Sequence, residues 1–225
     1  MRATLKTSLH PNNQTIVLAS NNAGKLAEFE RLFAPLDVCI EPQKNFNVSP
    51  AQEPFKTFVE NALAKARHAS AQTGLPAIAD DSGICADALS GAPGVLSARY
   101  AASQLANDTL DTAVQTLLLG LEPDAANNAL LLHQMQGVNQ RRACFVATLV
   151  HVRHPDDPLP LIAQGIWWGE VAHKPSGAHG FGYDPVFWLP DLHCSAAELD
   201  ATHKNEISHR GQALRALLAE LKAIY

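Results

Sequence analysis

Two periods organise the apolar positions of this chain. Apolar runs of strand length fall at QTIVLA, DVCI, PAIAD, CFVATLVHV and LPLIAQGIWWGEV. The last two are rich in β-branched and aromatic residues and predict long strands that pair as a hairpin through HPDDP. Elsewhere the spacing changes to three and four. Leu26, Phe29, Leu32 and Phe33 share a helical face that Pro35 closes. Phe55, Phe58, Val59, Ala62, Leu63 and Ala66 share another over 55–73, stopped by Gly74 and Pro76. A further helix is predicted over 107–121. The last segment, SHRGQALRALLAELKAI, puts Leu214, Leu217, Leu218 and Leu221 on one face with Ser208 as N-cap. PAIAD runs into DSG, a turn signal, and LSGAPGVLSARYA carries the Gly and Pro of a second turn. Residues 122–141 are polar and predict no element. The class is mixed α/β.

Composition narrows the function more than the fold. With 225 residues, 47% hydrophobic and 17% charged, the chain can build a large core, and no repeat or long linker divides it. A net charge of -5 argues against nucleic acid or an anionic membrane as partner, so any polyanion must be met by local positive charge. Cys39, Cys85, Cys144 and Cys194 are far apart with no CxxC pair, which predicts buried or incidental thiols in a reducing compartment. MRATLKTSLHPNNQ holds no apolar signal-peptide core, and no stretch nears the ~18 apolar residues of a membrane span, so a cytoplasmic protein is expected. His151 and His154 flank Arg153 and read as surface histidines; Trp167 and Trp168 point to opposite faces of one strand.

Four segments, the fourth made of the two stretches GAHGFGYDPVF and THKNEISHRG, place polar residues or glycine at element ends, where α/β folds keep their ligand sites. SNNAGK follows the first strand and opens the first helix. It is no Walker A loop, because Ala19 stands where GxxxxGK[ST] needs its first glycine and Leu26 where it needs the hydroxyl. Helix N-terminal amides, Asn21, Asn22 and the Lys25 ammonium can still converge on a phosphate; the plain alternative is a turn with a surface lysine. In SPAQEPFKTFVENALAKA, Asn61 and Lys65 share a helical face and Glu53 stands just ahead of the first turn, a set that can hold metal and phosphate or form a solvated face.

In AIADDSGI, Asp80 and Asp81 are costly to desolvate side by side unless a cation lies between them. Mg2+ answers that, one carboxylate coordinating it and the other orienting or deprotonating water, with Ser82 adding a hydroxyl; a polar turn is the alternative. GAHGFGYDPVF offers Phe181 and Tyr183, framed by Gly180 and Gly182, as a flat face for a base. THKNEISHRG supplies His209 and Arg210, a positive pair at a helix start that the macrodipole disfavours unless an anion or carbonyl-rich ligand lies opposite. Arginine only donates, so it suits a purine 6-keto oxygen and leaves an adenine amino group unsatisfied.

Together these segments resemble the inosine triphosphate pyrophosphatase family, whose members hydrolyse non-standard purine nucleoside triphosphates such as ITP, dITP and XTP to monophosphate and pyrophosphate. The resemblance runs in order through IVLASNNAGKLAEF, TFVENALAKARHA, LPAIADDSGICADALSGAPGVLSARYA, GFGYDPVF and ISHRGQALRAL. It implies a two-lobed α/β fold around a long mixed β-sheet with flanking helices and an active site in the cleft between lobes. Residues 1–225 are then one domain, with 1–13 an extension. Dependence on Mg2+ and a homodimer are also implied.

Carried onto this chain, the resemblance implies that Ser20, Asn21, Asn22, Ala23, Gly24 and Lys25 grip the triphosphate. Asp81, Lys25 and Lys65 form the catalytic group; Asp81 also binds metal, supported by Glu53 and Asp80, and Ser82 lies near the nucleotide. Phe181 stacks on the base, Gly182, Tyr183 and Asp184 complete its wall, and Lys204, His209 and Arg210 read the base edge. Two departures stand out. SNN replaces the Thr-Gly-Asn start of many relatives, and Gln52 replaces one of two adjacent acids, so Glu53 serves alone. The related Maf-type pyrophosphatases share the plan, but no SPRR-like run follows the first strand here. A regulator that merely held a purine triphosphate would not need the acidic cluster.

Overall fold

The computed structural model describes residues 14–21, 23–34, 38–108 and 110–223. The expected extension over 1–13, Asn22, the helix-closing Pro35, Asp37 of the second strand and Ile224 of the last helix lie outside them. Strands β1 (Gln14–Leu18) and β2 (Val38–Pro42) run parallel, joined by helix α1 (Ala23–Phe33). Phe29 and Phe33 stack with ring centroids 5.4 Å apart and pack with Ile16, Leu18 and Ile78, as their spacing predicts. Helix α2 (Phe58–Thr73) begins at a Thr57 cap, whose hydroxyl donates to the Glu60 carboxylate at 2.6 Å, and ends at Gly74 in the left-handed region. Phe55, expected on its apolar face, precedes that cap and stays exposed.

Strand β3 (Ala77–Ala86) carries the first correction: DSG is not a turn. Strand β4 (Arg142–Val152) pairs antiparallel with β3 from Ala77↔Val152 to Ala86↔Ala143, and this ladder overrides the local turn preference. Gly83 instead serves close packing, because a Cβ there would meet the Gly94 carbonyl and the Ser97 hydroxyl, each at 2.4 Å. Strand β5 (Leu161–Val171) completes the predicted hairpin, and Asp157 holds its turn by accepting the Arg153 and Leu159 amides at 2.9 and 3.0 Å.

The segment between β3 and β4 departs most from expectation. Helix α3 (Tyr100–Ala106) ends before Asn107, and helix α4 (Thr112–Leu118) restarts at an Asp111 cap that accepts the Val114 N–H at 2.9 Å, so no single helix spans 107–121. Residues 122–141 hold helix α5 (Pro123–Gln134), with a proline in its first turn and Leu130 and Leu131 fully buried. Its polar look comes from Asn127 and Asn128, which are spent inside the protein; Asn127 accepts the Ala101 N–H at 2.9 Å.

Short strands β6 (Phe187–Leu189) and β7 (Cys194–Ser195) extend the sheet to the order β2-β1-β3-β4-β5-β6-β7, antiparallel from β3 onward. Helices α6 (Ala201–Ile207) and α7 (His209–Leu221) close the fold. Ser208 caps α7 as predicted, and Leu214, Leu217 and Leu221 are fully buried, worth ~2 kcal/mol each. One core gathers α1 and α7 on the sheet; another gathers Ile84, Phe145, Trp167 and Phe187 with Leu131 of α5. Two further clusters lie between α2 and the sheet and among α3, α4 and α5, and the fold is a mixed α/β sheet with flanking helices. Trp167 is inward and Trp168 outward, as the strand period predicts. His151, expected at the surface, is buried, and burial lowers its pKa to about 4, so it is neutral; His154 is exposed. The cysteines are free thiols, although Cys85 and Cys144, far apart in sequence, face each other across β3 and β4. Among the described residues no helix is long and apolar enough to cross a membrane.

Candidate active site

Strand β1 pairs with β3 only at Val17↔Ala77 and Leu18↔Ile78, and its last bond runs from the Ala19 N–H to the Ile78 carbonyl at 2.8 Å. From there β1 turns away into SNN. Among the described residues no strand pairs with this edge of β3 beyond that point, and at Ile84 the Ser97 hydroxyl accepts its N–H at 2.9 Å. Backbone groups alternate along a strand, so those of Asp80 and Ser82 share this open edge with Ile78 and Ile84. Side chains alternate too. Asp80 and Ser82 therefore point to one face of the sheet and Asp81 to the other. The break between β1 and β3 is a topological switch point, where open α/β sheets hold ligands.

On the Asp81 face, its carboxylate lies 3.1 Å from Lys65 Nζ and 3.3 Å from Asn61 Nδ2. Lys65 also reaches the Glu53 carboxylate at 3.1 Å, and Arg99 approaches Glu53 at 3.7 Å. Asn61 and Lys65 sit one turn apart on α2. Asn61, fully buried, brackets the Phe55 backbone with bonds of 3.1 and 3.3 Å and so fixes the segment that carries Glu53. Burial pushes the Asp81 carboxyl above the usual range against the pull of Lys65. Burial works against the Lys65 charge, yet Asp81, Asp80 and Glu53 together raise its pKa.

On the other face, both Asp80 oxygens accept from Lys25 Nζ, at 2.7 and 2.9 Å. Burial would raise the Asp80 carboxyl, but Lys25 and then Arg210 hold it at about 2. Beside this pair opens a cavity of about 750 Å³ lined by Lys25, Ser82, Phe181, Lys204, His209 and Arg210 among others. That volume suits a nucleotide-sized ligand. Asp81, Glu53 and Lys65 do not line it; they lie across the open edge of β3.

Helix α7 reaches the cavity because β5 has a glycine beneath it: a Cβ on Gly165 would meet the His209 carbonyl at 2.0 Å. The His209 ring stacks on Phe145, centroids 4.8 Å apart. Burial, with Arg210 and Lys204 adding to it, lowers its pKa to about 3. The expected positive pair is thus one cation, Arg210, beside a neutral imidazole, because burial and the neighbouring Arg210 and Lys204 charges disfavour a second positive charge there. His209 Nδ1 is buried without a partner among the described residues. Phe181 is 64% exposed, with Lys204 Nζ and Arg210 Cζ at 5.3 and 5.5 Å from its ring centre. Asp184 pairs with Lys204 and accepts the Phe181 N–H at 2.7 Å. Tyr183 lines the cavity but is buried, and its hydroxyl donates to the Ser97 carbonyl at 2.9 Å. The exposed flat face is Phe181 alone; Tyr183 anchors the loop.

The model of the Ham1 family matches residues 16–220 of this chain. The chain belongs to the Ham1 family. The dITP/XTP pyrophosphatase of Bordetella pertussis is 56% identical over 215 residues, 96% of this chain and 94% of that one. The dITP/XTP pyrophosphatase of Chromobacterium violaceum is 56% identical over 93% of this chain and 98% of its own. Among solved structures, the HAM1 protein from Coxiella burnetii superposes with a TM-score of 0.83 at 43% identity, covering 93% of this chain and 99% of that one. The nucleoside-triphosphatase / dITP/XTP pyrophosphatase from Mycobacterium abscessus gives 0.71 at 38% identity over 91% and 99%.

In this Ham1 chain the two faces of β3 gather residues from five distant sequence stretches. Lys25, Ser82, Phe181, Gly182, Tyr183, Asp184, Lys204, His209 and Arg210 line the cavity, Asp80 stands behind it paired with Lys25, and Glu53, Lys65 and Asp81 meet across the edge. Ser20 and Asn21 occupy the turn leaving β1, and Ala23 and Gly24 open α1. Among the described residues no three His, Cys, Asp or Glu side chains converge as a metal cage, because Asp80 is turned from Asp81 and Glu53. Sequence reasoning missed Phe145, which reads as ordinary strand core, and Asp124, which lines the cavity from α5. The proline-led ANNALLLH pattern was the available signal for that helix.

Proposed function

We propose that this Ham1 protein hydrolyses the non-standard purine nucleoside triphosphates ITP, dITP and XTP to the monophosphate and pyrophosphate. The relatives named dITP/XTP pyrophosphatase support the reaction class. The observation that carries the reading is the open β3 edge between Lys25 and Lys65, joined to a nucleotide-sized cavity with one exposed stacking ring. The base rests on Phe181 and Arg210 donates to its 6-keto oxygen, with neutral His209 lining the same cavity. A donor set of this kind rejects adenine by roughly 10⁴ or more. Lys25, the α1 N-terminus and the β3 edge receive the phosphates.

In the reaction a water oxygen bonds to the α-phosphorus in line with the oxygen that bridges to the β-phosphate. That bridging bond breaks and pyrophosphate leaves. The water proton passes to Asp81, whose raised pKa suits a base, while Lys65 stays charged beside it. Glu53 and Asp81 already converge on one cation, the Lys65 ammonium, at 3.1 Å each. Two hard oxygen donors so placed fit Mg2+, which takes one or two carboxylates and completes its shell with phosphate oxygens and water. Glu53 and Asp81 would hold such an ion, which would supply charge neutralisation for the departing pyrophosphate; Asp80 supports the site through Lys25.

Pyrophosphate release from ITP, dITP, XTP, GTP, ATP and UTP, with and without Mg2+, tests this. Release confined to the inosine and xanthosine substrates with Mg2+ is expected; equal release from ATP, or none from any, overturns it. The setting is the cytoplasmic nucleotide pool. A homodimer fits the uncovered face of β5, where Ile162, Ile166 and Trp168 are exposed and Arg142 lies 3.8 Å over the Trp168 ring. Trp168→Glu shifts the mass seen by light scattering to the monomer; an unchanged mass places the interface elsewhere.

A further inference from the structure

Phe181, the stacking ring of the proposed site, stands on a loop whose backbone is held from two sides. One hold is local: Asp184 accepts the Phe181 N–H and pairs with Lys204 of α6. The other comes from α5. Asp124 accepts the Gly182 N–H at 2.8 Å, and Asn128, one turn further on, donates to the Gly182 carbonyl at 3.0 Å. The two side chains share a helical face at i, i+4 and so grip both polar groups of one residue. Gly182 has φ 60, a conformation with little intrinsic preference to hold it in place. The carbonyl acceptor also fixes the sense of the Asn128 amide, since the reverse would set two oxygens together; its Oδ1 is buried without a partner among the described residues.

Helix α5 is itself tied toward the catalytic strand. Asn127 accepts the Ala101 N–H at 2.9 Å and donates to the Ala98 carbonyl at 3.4 Å, and the turn over Gly94–Arg99 packs directly on Gly83 of β3. A continuous path of short contacts therefore runs from the strand of Asp80 and Asp81, through Gly83, Ala98 and Asn127, to Gly182 and Phe181.

We propose that Asp124 and Asn128 are positioning residues for base binding: α5 acts as a strut that sets the Phe181 wall relative to the phosphate end of the site. This rests on the proposed function, since it needs a base on Phe181. Stacking on an aromatic ring supplies much of the affinity for a base, so loosening the ring weakens substrate binding, whereas Asp81 and Lys65 lie on the far face of β3 and keep their geometry. The side chains act on affinity without joining the chemistry.

The test compares Asp124→Ala, Asp124→Asn and Asn128→Ala with the parent chain, each checked by thermal melting. Two readouts are taken: hydrogen exchange of the 181–183 amides, and KM and kcat for ITP. The clamp predicts faster exchange confined to that loop in both alanine variants, with KM raised about tenfold and kcat within about twofold. Asp124→Asn, whose amide oxygen still accepts the Gly182 N–H, restores both. Unchanged exchange in both alanine variants, or a fall in kcat with KM unmoved, overturns the proposal. If the parent chain releases no pyrophosphate from ITP, the function falls, and the exchange measurement still decides whether the clamp exists.

Discussion

Asp80 and Asp81 are the same chemical group one residue apart, and the fold drives them in opposite directions. Asp80 faces Lys25 and the field of Arg210 and is held at about 2; Asp81 faces Lys65 and Asn61 beside a second carboxylate, Glu53, and is pushed up by burial. Strand alternation separates them, and what each face packs against decides the sign. One carboxylate is thereby fixed as a permanent anion that organises cations around a cavity. The other is left as the group best suited to take a proton. Pairs of like groups whose environments split their affinities for protons mark the division of labour in an active site.

The largest break in that comparison is Asp81→Asn. Loss of a general base costs about 10²–10⁴ in rate, so pyrophosphate release from ITP falls by about that factor while ITP binding, followed calorimetrically, survives. Two opposed effects act on stability. Burial of the Asp81 carboxylate disfavours the fold once the pH exceeds its unfolded pKa, but the same carboxylate holds the Lys65 ammonium at 3.1 Å, so the amide leaves the melting temperature at pH 7 little changed. Full turnover in Asp81→Asn, or a lowered melting temperature with lost binding, removes the assignment.

Part of this contrast was legible in the sequence. Phe29, Phe33, Leu214 and Leu217 announced their helices because burial on one face leaves a periodic trace, and the aromatic and β-branched runs announced β4 and β5. Lys25, Asp81 and Arg210 were candidates because charge at element ends is costly without a ligand. The opposite facing of Asp80 and Asp81 was hidden because DSG carries turn chemistry, and only the ladder with β4 makes it strand. Helix α5 was hidden because its Asn127 and Asn128 look like loop residues until their backbone partners, 26 and 54 positions away, are in place. Neutral His209 could not be read either, since its burial comes from Phe145 and Trp167 on other strands.

The next effect falls on stability. Asp80 is 5% exposed, and its folded pKa of about 2 lies below the ordinary aspartate value of 3.8. Its contribution is full above pH ~4 and is lost as the pH falls through about 2, about 2 kcal/mol in all. Urea unfolding across that window shows the drop in the parent chain and a flatter profile in Asp80→Asn. At pH 7 the variant is less stable by about 2–3 kcal/mol, because Lys25 and Arg210 lose the anion between them. A parent profile with no loss between pH 4 and 2 would show that the two faces do not differ as described.

Glu53→Gln is the mildest change and the one that locates the metal. The Glu53 side chain is 28% exposed at the rim, and a glutamine can still accept from Lys65, so neither fold nor cavity should alter. If Mg2+ is held on the Asp81 face, removing one hard anionic donor raises the Mg2+ concentration for half-maximal pyrophosphate release, by about tenfold, and leaves the ITP KM at saturating Mg2+ almost unchanged. Asp80→Asn should show the reverse: an altered ITP KM, through Lys25 and Arg210, with little change in Mg2+ demand. Should Asp80→Asn carry the Mg2+ effect instead, the ion belongs on the cavity side of β3, and Asp81 works as a base without it.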